Sequence, residues 1–237
     1  MGSLAASLTP FALGVLFSPL AIIAMIAVLL SQHPGPNGVA FLVGWAIALI
    51  GITLGFMAIA GTFTVHRPSS PPEWAGVVHV IIGVVLVASG TWLLLRGRRR
   101  MRAMARAHSP GDVAAAAPQL PKMLQSVQHF KPARCLLLGV ALFALNPVDL
   151  SCAVGAGLEL RLSDTPAGVK AVTIVVFVLI GLLPVAVPLG LFMVQRQNAP
   201  AILERLRIWI AGHNALITAV LFFFIGVQQL VKGIGQV

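Results

Sequence analysis

The sequence predicts an all-α membrane protein whose six transmembrane helices form a 3+3 inverted-topology repeat. Three observations lead there. Hydrophobic residues make up 58% of the 237 positions and charged residues only 9%, with a mean hydropathy of +0.97. That is more apolar surface than a water-soluble core can hide. Six uncharged or nearly uncharged runs each reach the roughly 20 residues a helix needs to cross the hydrocarbon, and they lack the alternation of a membrane β-barrel. Finally, landmarks of the first half recur in the second. Pro19 returns as Pro147 at an offset of 128, and Gly38-Val39 and Leu49-Ile50-Gly51 return as Gly168-Val169 and Leu179-Ile180-Gly181 at 130. Ala75-Gly76, Gly90, Leu94 and Arg96-Gly97 return as Ala211-Gly212, Gly226, Leu230 and Lys232-Gly233 at 136. The offset changes only where loops must lie, which is where insertions are tolerated. Three spans per copy is an odd number, so the second copy enters from the opposite side, as in many secondary transporters.

Three regions follow: repeat one over 1–97, a basic loop over 98–131 and repeat two over 132–237. Span one runs from Phe11 to Leu30, and no Lys or Arg precedes it, so it does not read as a cleavable signal. Ser31 to Asn37, with Pro34, Gly35 and Pro36, reads as a turn. Span two covers Gly38 to Thr64, a Pro-rich link covers Val65 to Trp74, and span three covers Gly76 to Leu95. The following segment is too long and polar for an ordered turn, but its end, Pro121 to Phe130, puts Met123, Val127 and Phe130 on one helical face, predicting a short interfacial helix. Span four covers Cys135 to Leu158 and span five Ala171 to Val194. Pro200 opens a second interfacial element with Leu203, Leu206 and Ile210 aligned, before span six at Ile208 to Val231.

The net charge of +10 is concentrated: nine of the sixteen basic residues lie between Arg96 and Arg134. Positive residues mark the cytoplasmic side, so this loop is expected inside and both termini outside, with only Arg67, Arg161, Lys170 and Lys232 external. Arg98, Arg99, Arg100 and Arg102 then touch anionic lipid headgroups. No aromatic residues interleave them, which argues against nucleic acid as a partner. Cys135 and Cys152 stand 17 residues apart on one predicted helix, about 25 Å on a straight rod, too far for a disulfide. No metal-ligand spacing occurs, and no metal or cofactor is expected.

Spans three and six carry small residues every seventh position: Gly76, Gly83, Gly90 and Gly97, then Gly212, Ala219, Gly226 and Gly233. Such a seam lets helices approach closely and predicts scaffold rather than chemistry. Chemistry is expected at two helix breaks, Ser18-Pro19 and Asn146-Pro147. Proline removes a backbone donor, and loosened backbone at membrane depth survives only when buried in protein or facing a wet cavity. Asp149 is the only acidic residue inside any predicted span. Its ionised form at that depth costs several kcal/mol unless compensated, so it should face the interior, either as a carboxyl that exchanges protons during transport or as a structural hydrogen-bond partner of Asn146. Pro184 and Pro188 in span five have no counterparts in span two and mark a candidate gate or a local kink. His79 and His213 read as interface anchors. No nucleophile elbow or acid pair suggests an enzyme.

With these residues in hand, the sequence resembles the LysE transporter superfamily, and within it the small actinobacterial Gap and Sap proteins, the glycopeptidolipid and sulfolipid addressing proteins. The resemblance covers essentially the whole chain and lies in Ser18-Pro19-Leu20 with Ile22-Ile23, in Asn37 to Trp45, and in Asn146-Pro147. The last pair looks like the superfamily's Asn-Pro-Lys element, from which this chain departs with Val148 in place of the lysine, Asp149 after it, and Ala21 in place of a frequent second proline. The resemblance implies a bacterial plasma-membrane protein that helps move a glycolipid to the surface, beside lipid-synthesis or large lipid-export machinery, with membrane lipids as partners and a homodimer left open. Three readings remain: an exporter of an amphipathic lipid, a proton-coupled exporter of a small amino acid or cation, and a non-transporting adaptor.

Overall fold

The computed structural model describes residues 2–63, 73–105, 130–195 and 198–235. They form eight helices: α1 (Gly2–Leu16), α2 (Pro19–Leu29), α3 (Pro34–Phe63), α4 (Glu73–Ala105), α5 (Pro132–Leu145), α6 (Pro147–Leu162), α7 (Ala167–Val194) and α8 (Ala199–Ile234). No strand occurs among the described residues. α3, α4, α7 and α8 are each long and apolar enough to cross a membrane. α1 with α2, bent by 42°, and α5 with α6, bent by 74°, qualify as one broken span each, which makes six. The molecule is a multi-pass membrane protein.

Several boundaries differ from the sequence expectation, each for a local reason. Pro34 and Pro36 open α3 rather than ending a turn before it, because the first helical turn has no intrahelical partner for the missing N–H. α4 continues to Ala105, so Arg98, Arg99, Arg100 and Arg102 lie on a helix and not in a loop. The element opened by Pro200 is the first third of α8 and not a separate interfacial helix. Leu203 and Ile210 on it are buried in the main core, so tertiary packing carries the helix straight through. The interfacial helix expected at Pro121 to Phe130 lies outside the described residues but for Phe130, and the external link over 64–72 lies wholly outside them.

α4 packs along α8, α3 along α5 and α6, and α7 along α1 and α2. The α4–α8 contact is antiparallel and built on the glycine seam. A methyl group placed on Gly83 would lie 2.8 Å from the carbonyl oxygen of Gly226, and one on Gly226 would lie 3.1 Å from that of Gly83. A methyl group on Gly233 would lie 2.8 Å from the carbonyl oxygen of Gly76, and one on Gly90 would lie 3.0 Å from Phe222 Cβ. Gly212 lies on α8, its surroundings outside the described residues. The α3–α5 and α3–α6 contacts are equally close: Gly139 sits on the Phe41 carbonyl, Gly44 on that of Leu136, and a methyl group on Gly157 would lie 2.5 Å from that of Thr53. Lipid supplies no hydrophobic drive for helices to associate, so close backbone approach is what holds such pairs.

Two polar ties fix the ends and middle of this frame. Asn37, fully buried, donates from Nδ2 to Ser31 Oγ and to the Phe130 carbonyl, both at 2.9 Å, binding the α2–α3 turn to the start of span four. The Trp45 indole donates to the Gly181 carbonyl at 3.1 Å, joining α3 to α7, while the Phe143 ring meets Trp45 edge-on at 4.9 Å.

Candidate functional site

Both helix breaks arise from the same local chemistry. The residue before a proline is pushed out of the helical region by the ring: Ser18 has φ −66°, ψ 102° and Asn146 φ −80°, ψ 114°. Each proline then restarts the chain as the first residue of a new helix, a position pre-organised for it. Two helix N-termini, those of α2 and α6, therefore lie inside the bundle.

The breaks meet through side chains. Ser18 Oγ donates to Asp149 Oδ2 at 2.9 Å, across 131 positions of sequence. Asn146 Nδ2 donates to the same carboxylate oxygen at 2.5 Å and approaches Ser18 Oγ at 3.3 Å. The Asn146 amide oxygen accepts from the Val148 N–H at 3.1 Å, capping α6. Ser18 and Asp149 are buried to 1% and 0% exposure. Asp149 lies in the first turn of α6 and bonds the N-cap residue of α2, so two positive dipole ends face one carboxyl. Oδ2 thus accepts two hydrogen bonds, while Oδ1 is buried without a partner. That leaves Oδ1 as the atom to take a proton, a cation or a substrate donor.

The remaining candidates are distributed around this centre. Pro19 is buried, but the Pro147 ring is exposed beside Leu145. The sheltered break expected there is therefore half open: Pro147 stands two residues before Asp149, about 200° round the helix, and turns outward when Asp149 turns in. Pro184 and Pro188 are buried on α7, which stays continuous through both. They share the buried face of α7 with Leu189, which packs on Gly38 beside Met25, whereas the side-chain hydrogen bonds of Asp149 run to Ser18 and Asn146. Arg98, Arg99, Arg100 and Arg102 have side chains outside the described residues. Cys135 and Cys152 are free and buried; the straight 25 Å rod between them does not exist, because the 74° bend intervenes.

A second polar cluster escaped the sequence reading. α6 runs past Leu158, so Glu159 is helical and only 16% exposed in its side chain. Lys232 Nζ donates to Glu159 Oε1 at 2.8 Å. His79 is fully buried rather than an interface anchor: Nδ1 meets Gln229 Oε1 at 3.0 Å and Nε2 stands 3.7 Å from Glu159 Oε1. His213 is exposed, and its Nδ1 meets the Trp209 carbonyl of its own helix at 2.8 Å. The available signal was Glu159, ten residues after Asp149 and on the same face of α6, but the histidine and glutamine that complete the cluster stand 150 positions apart.

No curated protein and no solved structure matches the chain. The family model described as Sap, sulfolipid-1-addressing protein, matches residues 8–235, a stretch that contains both helix breaks, the Ser18–Asp149 contact and the whole glycine seam. The chain therefore belongs to the Sap, sulfolipid-1-addressing protein family.

Proposed function

We propose that this protein is a secondary exporter of LysE type that moves a glycolipid or other amphipathic lipid conjugate toward the cell surface, with its polar part at Ser18, Asn146 and Asp149. The observation that carries the reading is the buried hydrogen bond from Ser18 to Asp149 at the junction of two broken helices. Broken helices that point their N-termini at a midplane site are the recurring design of inverted-repeat carriers. The antiparallel seam supports the repeat: Gly83 faces Gly226, the counterpart of Gly90, and Gly90 faces Ala219, the counterpart of Gly83. Family membership supports the lipid.

A groove of about 260 Å³ supports lateral access for an acyl chain. It lies between α1 and α7, lined by Leu8, Ala12, Leu16, Val176, Phe177 and Ile180. Thr9 and Thr173 also line it, but their hydroxyls bond their own helices, so its surface suits hydrocarbon. Leu16 brings it within two residues of Ser18. The test is surface lipid in a deletion strain complemented with Asp149→Asn or Ser18→Ala protein of normal abundance. Lost surface lipid supports the reading, and full restoration by both variants overturns it.

A further inference from the structure

The inner face of α6 carries Asp149, Cys152, Gly155 and Glu159 at intervals of three to four residues, which is one stripe along a helix. α1 lies against this stripe antiparallel. Ser18 bonds Asp149, a methyl group on Gly14 would meet Cys152 Sγ at 2.5 Å, and one on Gly155 would meet the Phe11 ring at 2.5 Å. α8 lies against it in parallel: Ile225 reaches the level of Gly14 and Cys152, Gln229 that of Gly155, and Lys232 that of Glu159. α4 adds His79 beside Gln229 and Glu159.

The stripe therefore joins two polar centres about 15 Å apart, ten residues of α6 at 1.5 Å each. Between them stand Phe11, Ile225 and Cys152, all buried. Three buried polar atoms border this layer without a hydrogen-bond partner: Asp149 Oδ1 on one side, Gln229 Nε2 and His79 Nε2 on the other. An unsatisfied buried polar group is destabilising, so these three are a standing cost unless water reaches them during function.

We propose that this seam is a proton route between Glu159 and Asp149, with His79 and Gln229 ordering water at the Glu159 end and Phe11 with Ile225 forming its closed gate. When the apolar layer parts, one proton passes along bridging water from the Glu159 carboxyl to Oδ1 of the Asp149 carboxylate. Glu159 becomes the carboxylate, Asp149 the acid, and the total charge is unchanged. Facing Glu159 are His79 from α4, itself bonded to Gln229 of α8, and Lys232 from α8, with the Phe11 ring of α1 5.7 Å from Lys232 Nζ. Lys232 bonds Glu159 Oε1 in the closed state, and when that pair separates the freed carboxyl group takes from water the proton that it then passes on. The proposal adds a driving ion to the exporter reading and rests on Asp149 being its site, yet its test needs no lipid, so the two can fail separately.

The experiment uses the full-length protein in phosphatidylcholine–phosphatidylglycerol vesicles with a trapped pH dye and a valinomycin-set potassium potential. Wild-type vesicles should take up protons no faster than empty ones. Opening the gate by Phe11→Ala, or independently by Ile225→Ala, should raise uptake about tenfold. Adding Glu159→Gln or His79→Leu to either opened variant should return it to baseline. Monodispersity and melting temperature verify that each variant is folded, and the milder Ile225→Val replaces any that is not. Folded opened variants without a leak, or a leak that survives both second substitutions, would overturn the route.

Discussion

Gly83 and Gly226 pack reciprocally, each with its Cα against the other's carbonyl oxygen, at 2.8 and 3.1 Å from where a methyl group would stand. Beside the side chains of Leu230 at 2.7 Å and Val87 at 2.8 Å, each side thus meets a backbone oxygen, which cannot swing away as a side chain can. Gly83→Val should therefore force α4 and α8 apart and cost about 1–3 kcal/mol or more. Gly90→Ala, whose nearest neighbour is the Phe222 side chain at 3.0 Å, should cost less. Thermal unfolding in detergent of the two variants against wild type measures the order.

Asp149→Asn keeps the size of the side chain and should leave abundance and melting temperature near wild type, because Ser18 and Asn146 can still bond the amide oxygen. Export should fall by about tenfold or more, the consequence of losing ~1.4 kcal/mol or more of interaction at the site. Ser18→Ala should fall less, and the double variant should show a coupling energy of about 0.5–3 kcal/mol, the range for residues in contact. Surface-lipid quantification over matched protein levels gives all three numbers.

Val176→Trp narrows the groove between α1 and α7 from its outer rim, where Val176 is 48% exposed and a larger ring is tolerated. Export of an acyl-chain substrate should drop by about tenfold while stability changes by about 0.5 kcal/mol or less, as for surface positions. An undiminished lipid level with this variant at normal abundance would argue that no chain enters there.

Asn37→Ala removes both bonds from the α2–α3 turn to Ser31 and to Phe130. Two hydrogen bonds, one buried and one partly buried, at about 1 kcal/mol each predict a loss of ~2 kcal/mol in stability. Accelerated proteolysis or a lowered melting temperature checks it, and transport per folded molecule should change little, since the site lies elsewhere.

The two helix breaks were legible because the cause is local: a proline dictates the backbone of the residue before it, whatever surrounds them. The glycine seam was legible as a period of seven, though not which glycine faces which, since that depends on the direction and register of two helices far apart in sequence. Pro34 and Pro36 were misread because the same residue that ends a helix also begins one, and local composition does not distinguish the two cases. Glu159 was lost at a boundary drawn by hydropathy, one residue past the apolar run, and with it went the cluster it forms with His79, Gln229 and Lys232. Burial of His79 comes from α6 and α8, so nothing near it in sequence announces it. The outward turn of Pro147 follows from Asp149 facing inward, a choice that only the packed bundle makes.

α8 spans 36 residues without interruption, about 54 Å of rod against roughly 30 Å of hydrocarbon. Leu203 is gripped near one end and Lys232 near the other. A continuous rod held at both ends has no break at which to absorb a displacement, unlike the bent pairs α1–α2 and α5–α6. Movement of the stretch before Leu216 would thus be carried along the rod to the Glu159–Lys232 pair instead of being lost at a hinge.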